Sequence, residues 1–302
     1  MSQVTQLCLL GFGEVGQTLA EDLASAGDLA LRTYDIKFSD PDSVPSRALR
    51  THARVKVCDS AAAAASGSDL VISAVTAAQD LSATQSVVPG LGRGCVYLDL
   101  NSVSPATTIA AAAIVEKAGG RYVEAAIMSP IAPRRIESPI LLGGPHAESY
   151  ADVAKSLGFS GVRFYSDELG SASAAKMCRS VIVKGMEALM TEALLPARRF
   201  GVESEVLGSL QDLLPGVDWT SQARYLIARS LEHGTRRAEE MREVAETVRE
   251  AGLEPLMSAA CAERQAWAPQ FAAALGEASL AGMLDAILDT LNAKTEHQGT
   301  TS

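Results

Sequence analysis

The sequence predicts an α/β protein: a doubly wound, mostly parallel sheet followed by an all-α C-terminal domain. Three observations carry this reading. A short apolar run, Gln6-Leu7-Cys8-Leu9-Leu10, leads straight into the glycine-rich Gly11-Phe12-Gly13-Glu14-Val15-Gly16. Short β-rich runs then alternate with helical stretches to about residue 165, the pattern of βαβ units. After Gly170 the strand-like runs stop, and helical periodicity continues to about residue 293.

Taken in order, strands are expected at 5–10, 29–34, 54–57, 69–74, 94–99, 121–125, 139–143 and 161–165, parted by turns such as Pro89-Gly90 and Gly143-Gly144-Pro145. The run Ala61 to Ala65 reads as a short helix of good helix formers. In the second half, Ala238, Met241, Val244, Ala245, Val248 and Ala251 share one helical face, with Arg and Glu opposite. The charge run from Arg236 to Glu243 is read as a solvated face. Helix breaks are expected near Gly201, Pro215-Gly216, Gly252 to Pro255 and Gly276. The division predicted is a dinucleotide-binding domain over 1–166, a helical domain over 167–293 and a disordered polar tail over 294–302. A cleft between the two domains is the expected ligand site.

Each glycine of the first turn has a separate reason. Gly11 permits the tight turn, Gly13 lets the backbone approach a pyrophosphate, and Gly16 lets the helix pack closely on the strand. The phosphates rest on free N–H groups at a helix N-terminus. The second strand ends in Asp35, 19 residues beyond Gly16, where a carboxylate accepts the ribose 2′-OH. This is a Rossmann-type arrangement. Asp35 repels a 2′-phosphate and so favours NAD; Lys37 and Arg32 soften that repulsion and leave NADP possible.

Bulk properties narrow the classes. A chain of 302 residues can bury the cores of two domains. A formal net charge of −10 argues against nucleic-acid and acidic-membrane partners. Cys8, Cys58, Cys95, Cys178 and Cys261 are scattered, with no C-x-x-C, and read as buried small apolar residues in a reducing compartment. The four histidines show no metal-ligand spacing, so no metal is expected. No basic region precedes an apolar stretch at the N-terminus, and no uncharged apolar run reaches the roughly 18 residues of a membrane span. The expected location is the cytoplasm.

Hydride transfer from an alcohol needs a group that takes the hydroxyl proton. Lys176, in Gly170-Ser171-Ala172-Ser173-Ala174-Ala175-Lys176-Met177, opens the first long helix among small residues. The positive helix N-terminus and partial burial disfavour its charged form, which suits an acid/base; the alternative is a surface lysine whose stem covers apolar helix. A second constellation is Tyr97-Leu98-Asp99-Leu100-Asn101-Ser102-Val103-Ser104-Pro105. Asn101 and Ser102 are placed to hydrogen-bond substrate or the nicotinamide ribose, while Ser102 or Ser104 can cap the helix at Pro105.

These parts, in this order, resemble the β-hydroxyacid dehydrogenase family, which includes 3-hydroxyisobutyrate and 6-phosphogluconate dehydrogenases. The resemblance covers essentially the whole chain. It rests on GFGEVG at 11–16, DLVISAVT at 69–76, DLNSVSP at 99–105 and GSASAAKM at 170–177. It implies a Rossmann domain, a helical domain that usually forms a homodimer, and a general acid/base lysine, here Lys176. It also places Val75 and Thr76 along the cofactor and Ser102 beside the nicotinamide.

The departures lie in the substrate pocket. The family's Ser-Gly-Gly turn, which holds a substrate carboxylate, is replaced by Ile127-Met128-Ser129-Pro130, and Pro130 has no N–H. The asparagine four residues after the lysine is Ser180, preceded by Arg179. The later Lys-Asp pair is replaced near Arg236-Arg237. Arg179 or Arg237 can hold an anionic group bidentately, or serve as helix-surface arginines. The pattern is most similar to a sparsely characterised, phosphogluconate-dehydrogenase-like branch with a rebuilt pocket. The resemblance therefore implies an NAD(P)-dependent dehydrogenase acting on a small 3-hydroxy acid or related polar alcohol. Two alternatives stay open: an imine reductase-like enzyme of the same fold, and a dinucleotide-binding sensor without turnover.

Overall fold

A computed structural model describes residues 4–25 and 29–299. The eight strands are β1 (Gln6–Leu10), β2 (Ala30–Tyr34), β3 (Val55–Val57), β4 (Leu70–Ser73), β5 (Val96–Asp99), β6 (Arg121–Ile127), β7 (Ile140–Gly143) and β8 (Val162–Ser166). Each falls within two residues of its expected bounds. The helices among them are α1 (Glu14–Ser25), α2 (Val44–Ala48), α3 (Ala61–Ala65), α4 (Asp80–Val87), α5 (Pro105–Lys117) and α6 (Ala147–Ser156). Ser60 caps the alanine helix α3, its Oγ accepting from the Ala63 N–H at 3.1 Å.

The strands form one sheet in the order β3-β2-β1-β4-β5-β6-β7-β8. All neighbours run parallel except β6 and β7, which are antiparallel. Strand order reverses between β1 and β4, so the turn that leaves β1 stands at the switch point, where doubly wound sheets hold ligands. Both faces are covered, which explains the continuous apolar runs in the strands. One face buries Leu7, Leu9, Leu70, Ile72, Val96, Leu98, Val123 and Ala125. The other buries Cys8, Leu10, Val71, Tyr97 and Tyr122.

Five helices follow: α7 (Ser171–Phe200), α8 (Glu203–Leu213), α9 (Trp219–Glu250), α10 (Leu256–Trp267) and α11 (Leu280–Gly299). Residues 1–178 and 179–302 form two compact units. They part inside α7, later than the boundary read at 166, because an unbroken helix crosses that stretch. The second unit has its own core, with Leu194, Trp219, Ile227, Leu231, Phe271, Met283 and Ile287 among its members. The helices break at the glycines and prolines expected. Helix α11 continues through Gly299 past Lys294, where a disordered tail was expected; no proline or glycine lies between Lys294 and Gly299. Residues 300–302 of that tail lie outside the described residues.

Two further expectations are corrected. The charge run on α9 is not wholly solvated: Arg237 is 6% and Glu240 8% exposed, because α7 supplies a partner for each. Cys8, Cys95 and Cys261 are buried as expected, but Cys58 is half-buried and Cys178 exposed. Among the described residues no group of three or more His, Cys, Asp and Glu could hold a metal ion. Among them, too, no helix is long and apolar enough to cross a membrane.

Candidate active site

The glycine turn is shaped by contacts that only glycine permits. Gly11 has φ +92°, and a Cβ there would stand 2.5 Å from the Ala74 carbonyl oxygen. A Cβ at Gly16 would collide with the Gly11 carbonyl oxygen, so the start of α1 is pressed against the turn. Gly13 differs from both. A Cβ there would meet no protein atom within 4 Å, which leaves the approach to the N-terminus of α1 open. Glu14 is exposed and Val15 half-buried. Phe12 is fully buried, its ring packed edge-on against His52 at 5.2 Å and tilted against Phe38 at 6.0 Å. The Phe12 side chain thus belongs to the core.

Asp35 closes this turn. Its Oδ2 accepts from the Phe12 N–H at 2.7 Å and its Oδ1 from the Lys37 N–H at 2.8 Å. A carboxylate offers about four acceptor positions, so both oxygens keep capacity for ribose hydroxyls. The carboxylate therefore shapes the loop. Lys37 is exposed.

The turn after β4 lies alongside. Val75 Cγ1 is 3.0 Å from the position a Cβ would take on Gly11, and Val75 and Thr76 are both half-buried. Asn101 ties this turn to the end of β5. Its Oδ1 accepts from the Val75 N–H at 2.7 Å, and its Nδ2 donates to Ser73 Oγ at 2.9 Å and to Asp80 Oδ1 at 2.6 Å. Both amide hydrogens are thus engaged within the protein, and Asn101 is 7% exposed. Asn101 is therefore a strut between turns and has no donor left for substrate or ribose. Ser104, not Ser102, caps α5, its Oγ accepting from the Thr107 N–H at 3.3 Å. That leaves the half-buried Ser102 outside the cap.

Beneath these turns lies a polar lattice that the sequence reading missed. Tyr97 pairs with Tyr122 and Asp99 with Glu124 across β5 and β6. The two tyrosine rings stack at 5.9 Å. Asp99 Oδ2 accepts from the Tyr122 hydroxyl at 2.7 Å, and Asp99 Oδ1 from the Asn101 N–H at 2.9 Å. Burial raises the Asp99 carboxyl above its usual range, against the pull of these donors, the Asp80 carboxyl and the charge of Lys176. Burial likewise raises both tyrosines well above the usual phenol range.

Glu124 connects the lattice to the lysine helix. Its Oε2 accepts from the Gly170 N–H at 2.9 Å, and its Oε1 accepts a short bond from the Ser173 N–H. Gly143 on β7 has no side chain to collide with this carboxylate. Burial raises the Glu124 carboxyl, opposed by its bonds to Ser173 and Gly170. The first turn of α7 is thereby fixed to the sheet, helped by Thr108 Oγ1 at 2.8 Å from Ser173 Oγ. Lys176 follows in the second turn, half-buried, and its charge acts on Asp99. A lone acid in Tyr122-Val123-Glu124-Ala125-Ala126-Ile127 was the available signal, since a buried carboxylate demands donors.

The expected substrate groups are dispersed. Ser129 Oγ donates to the Pro130 carbonyl at 3.0 Å, within its own loop. In the second unit Arg179 is exposed. Ser180 is buried, with its Oγ accepting from Lys184 Nζ at 3.2 Å. Lys184 Nζ also pairs with Glu240 at 2.7 Å, and Glu240 with Arg236 at 2.6 Å. Arg237 donates to Glu187 Oε2 at 2.6 Å, and Gln265 Nε2 reaches the same oxygen at 3.2 Å. Arg237 is therefore corrected from a free anion binder to one half of a buried ion pair. Burial lowers its guanidinium and raises the Glu187 carboxyl.

A glycine turn at the switch point, an acid closing it and an open approach at Gly13 define a dinucleotide-binding protein of the Rossmann class. The family model for the NAD binding domain of 6-phosphogluconate dehydrogenase matches residues 6–163, and one for a domain of unknown function (DUF1932) matches 197–268. A conserved hypothetical protein from Sinorhizobium meliloti 1021 is 37% identical, with TM-score 0.71 over 94% of this chain and 96% of that one. A second solved structure, of a conserved protein described as similar to 3-hydroxyacid dehydrogenases, is 32% identical, with TM-score 0.65 over 90% of this chain and all of that one. The mitochondrial 3-hydroxyisobutyrate dehydrogenase of Bos taurus is 23% identical over 226 residues, 73% of this chain and 65% of that enzyme. The match thus spans just under two thirds of the bovine enzyme's length. The chain belongs to the β-hydroxyacid dehydrogenase family and carries its NAD-binding domain.

Proposed function

We propose that the protein is an NAD(P)-dependent oxidoreductase acting on a small 3-hydroxy acid or related polar alcohol, with Lys176 as general acid/base. The observation that carries this reading is the fixed start of α7. Glu124 holds the Gly170 and Ser173 amides, so Lys176 is presented from a rigid second turn near the buried Asp99. The residues fit the dinucleotide: the backbone of 11–16 and the open side of Gly13 take the pyrophosphate, and Asp35 accepts from the ribose. When bound, the nicotinamide supplies the hydride acceptor or donor. The neutral amine of Lys176 takes the hydroxyl proton during oxidation and returns it during reduction.

Val75, Thr76 and Ser102 are assigned to the cofactor side, and Ser129, Arg179 and Ser180 to the substrate side. Asp35 favours NAD over NADP, and the helical unit forms a homodimer in the cytoplasm. Pro130, which offers no N–H for a substrate carboxylate, favours a second reading: a dinucleotide-binding sensor without turnover. Lys176→Ala separates the two. Turnover followed by nicotinamide absorbance, across hydroxy acids and sugar acids, should fall about 10²- to 10⁴-fold with cofactor affinity kept. Wild-type-like turnover in this variant removes Lys176 from the chemistry. NAD binding with no wild-type turnover on any substrate favours the sensor.

A further inference from the structure

A cavity of about 430 Å³ opens at the edge of the sheet opposite the glycine turn. Asp69 just before β4, Gly94 and Cys95 just before β5, and Arg121 at the start of β6 all line it. These are the amino ends of parallel strands, whereas the glycine turn leaves the carboxyl end of β1. Ser68, Arg93 and Tyr150 complete the polar lining. The volume lies within the roughly 300–1,000 Å³ of small-ligand sites.

The polar groups here are only half used by the protein. Asp69 Oδ2 accepts from the Thr5 N–H at 2.8 Å, the Thr5 hydroxyl at 3.0 Å and the Gln6 N–H at 3.0 Å. Those bonds, the Thr5 amide foremost, hold the carboxyl below its usual range, so Asp69 is ionised and its Oδ1 is open to a further donor. Neither Arg93 nor Arg121 has a side-chain hydrogen bond or ion pair among the described residues. Tyr150 is 1% exposed, and its hydroxyl is buried with no partner. With almost no accessible surface, that hydroxyl is closed to a ligand, and the polar groups open to one are the half-buried Asp69 and the exposed Arg93 and Arg121. Burial pushes the Cys95 thiol up to about 12, so it stays neutral and leaves the charge of the site to the two arginines and Asp69.

We propose that this cavity binds a small amino dicarboxylate, at a site separate from the dinucleotide site and independent of the reading of Lys176. Two guanidiniums and one carboxylate give the cavity a net positive charge within a chain of net charge −10. A ligand with two carboxylates and one ammonium is its complement. Each carboxylate takes a guanidinium in the geometry arginine favours, and the ammonium donates to Asp69 Oδ1.

Calorimetric titration of the full chain with L-aspartate, with and without saturating NAD, tests this. The expected result is a saturable one-site isotherm that NAD does not alter. Affinity should be about tenfold or more weaker for succinate, which lacks the ammonium, and for the Arg93→Gln/Arg121→Gln double variant. Asp69→Asn should weaken binding of L-aspartate more than binding of succinate, which has no ammonium for that carboxylate. No saturable heat up to roughly 20 mM L-aspartate, equal affinity in the double-arginine variant, or competition by NAD would each overturn the proposal.

Discussion

Replacing Gly13 by alanine separates binding from folding at the glycine turn. Gly13 lies outside the left-handed region, and the new Cβ would meet no protein atom within 4 Å. Folding should therefore be unharmed, or helped by about 0.4–1 kcal/mol through the stiffer unfolded chain. The space that is open to the protein is the space a pyrophosphate needs. A methyl group there acts as overpacking, which costs about 1–3 kcal/mol, or roughly 5- to 150-fold in NAD affinity. Gly16→Ala is the contrasting control, because its Cβ collides with the Gly11 carbonyl and must disturb the fold itself. Urea unfolding and calorimetric NAD titration on both variants give the two numbers. Unchanged NAD affinity in Gly13→Ala would mean that the pyrophosphate does not pass this residue. A large loss of stability would mean that the gap beside it is not open.

Other consequences follow from groups placed just as definitely. Glu187→Ala strands Arg237 in the second unit and should cost about 3–5 kcal/mol in urea unfolding; adding Arg237→Met should recover most of it. If the single variant is neutral, Arg237 has found water. Asp35→Asn removes the charge that repels a 2′-phosphate, so the ratio of NADP to NAD affinity should rise; a constant ratio refutes its role in selection. Stability should also depend on pH in a definite direction. Asp99, Glu124 and Glu187 carry carboxyls raised by burial, so the folded state binds more protons than the unfolded one. Their contribution is full below the ordinary carboxylate range and is lost as pH rises through the raised values. Asp69, held low by the Thr5 amide first, and His233, held low by burial first, act the other way and lose their contributions as pH falls, so the decline toward neutral pH is shallower than the three carboxyls alone would give. The urea midpoint should decline from mildly acidic toward neutral pH, and Asp99→Asn should flatten the decline; a midpoint rising steadily to neutrality contradicts it.

What was legible in the sequence follows the range of the forces involved. The strands and the glycine turn are encoded within a few residues, by apolar runs and by backbone positions that reject a Cβ, and those readings needed no distant partner. The antiparallel direction of β7 is not written in Ile140-Leu141-Leu142-Gly143, because a buried run reads the same either way. The run from Arg236 to Glu243 misled for a similar reason. Its local pair, Arg236 with Glu240 at 2.6 Å, makes a solvated face look complete. The partners that draw Glu240 and Arg237 inward, Lys184 and Glu187, sit about fifty positions earlier in the chain. Asn101 and Arg237 looked like ligand contacts by residue type, and only the saturated amide of Asn101 and the buried pair of Arg237 with Glu187 show them holding the protein together.

The lattice of Tyr97, Asp99, Tyr122 and Glu124 also bears on how the chain assembles. Parallel strands rich in small aliphatic residues tolerate sliding, since one apolar contact resembles another. A slip of one residue between β5 and β6 would turn every side chain of the moved strand to the opposite face. One phenol and one carboxylate would then enter the cluster that holds Leu98, Val123 and Ala125, with no donors to meet them. The four polar groups thus key the strand pairing. A misaligned sheet is penalised as it forms, and the correct alignment brings the lysine helix to its anchor on Glu124.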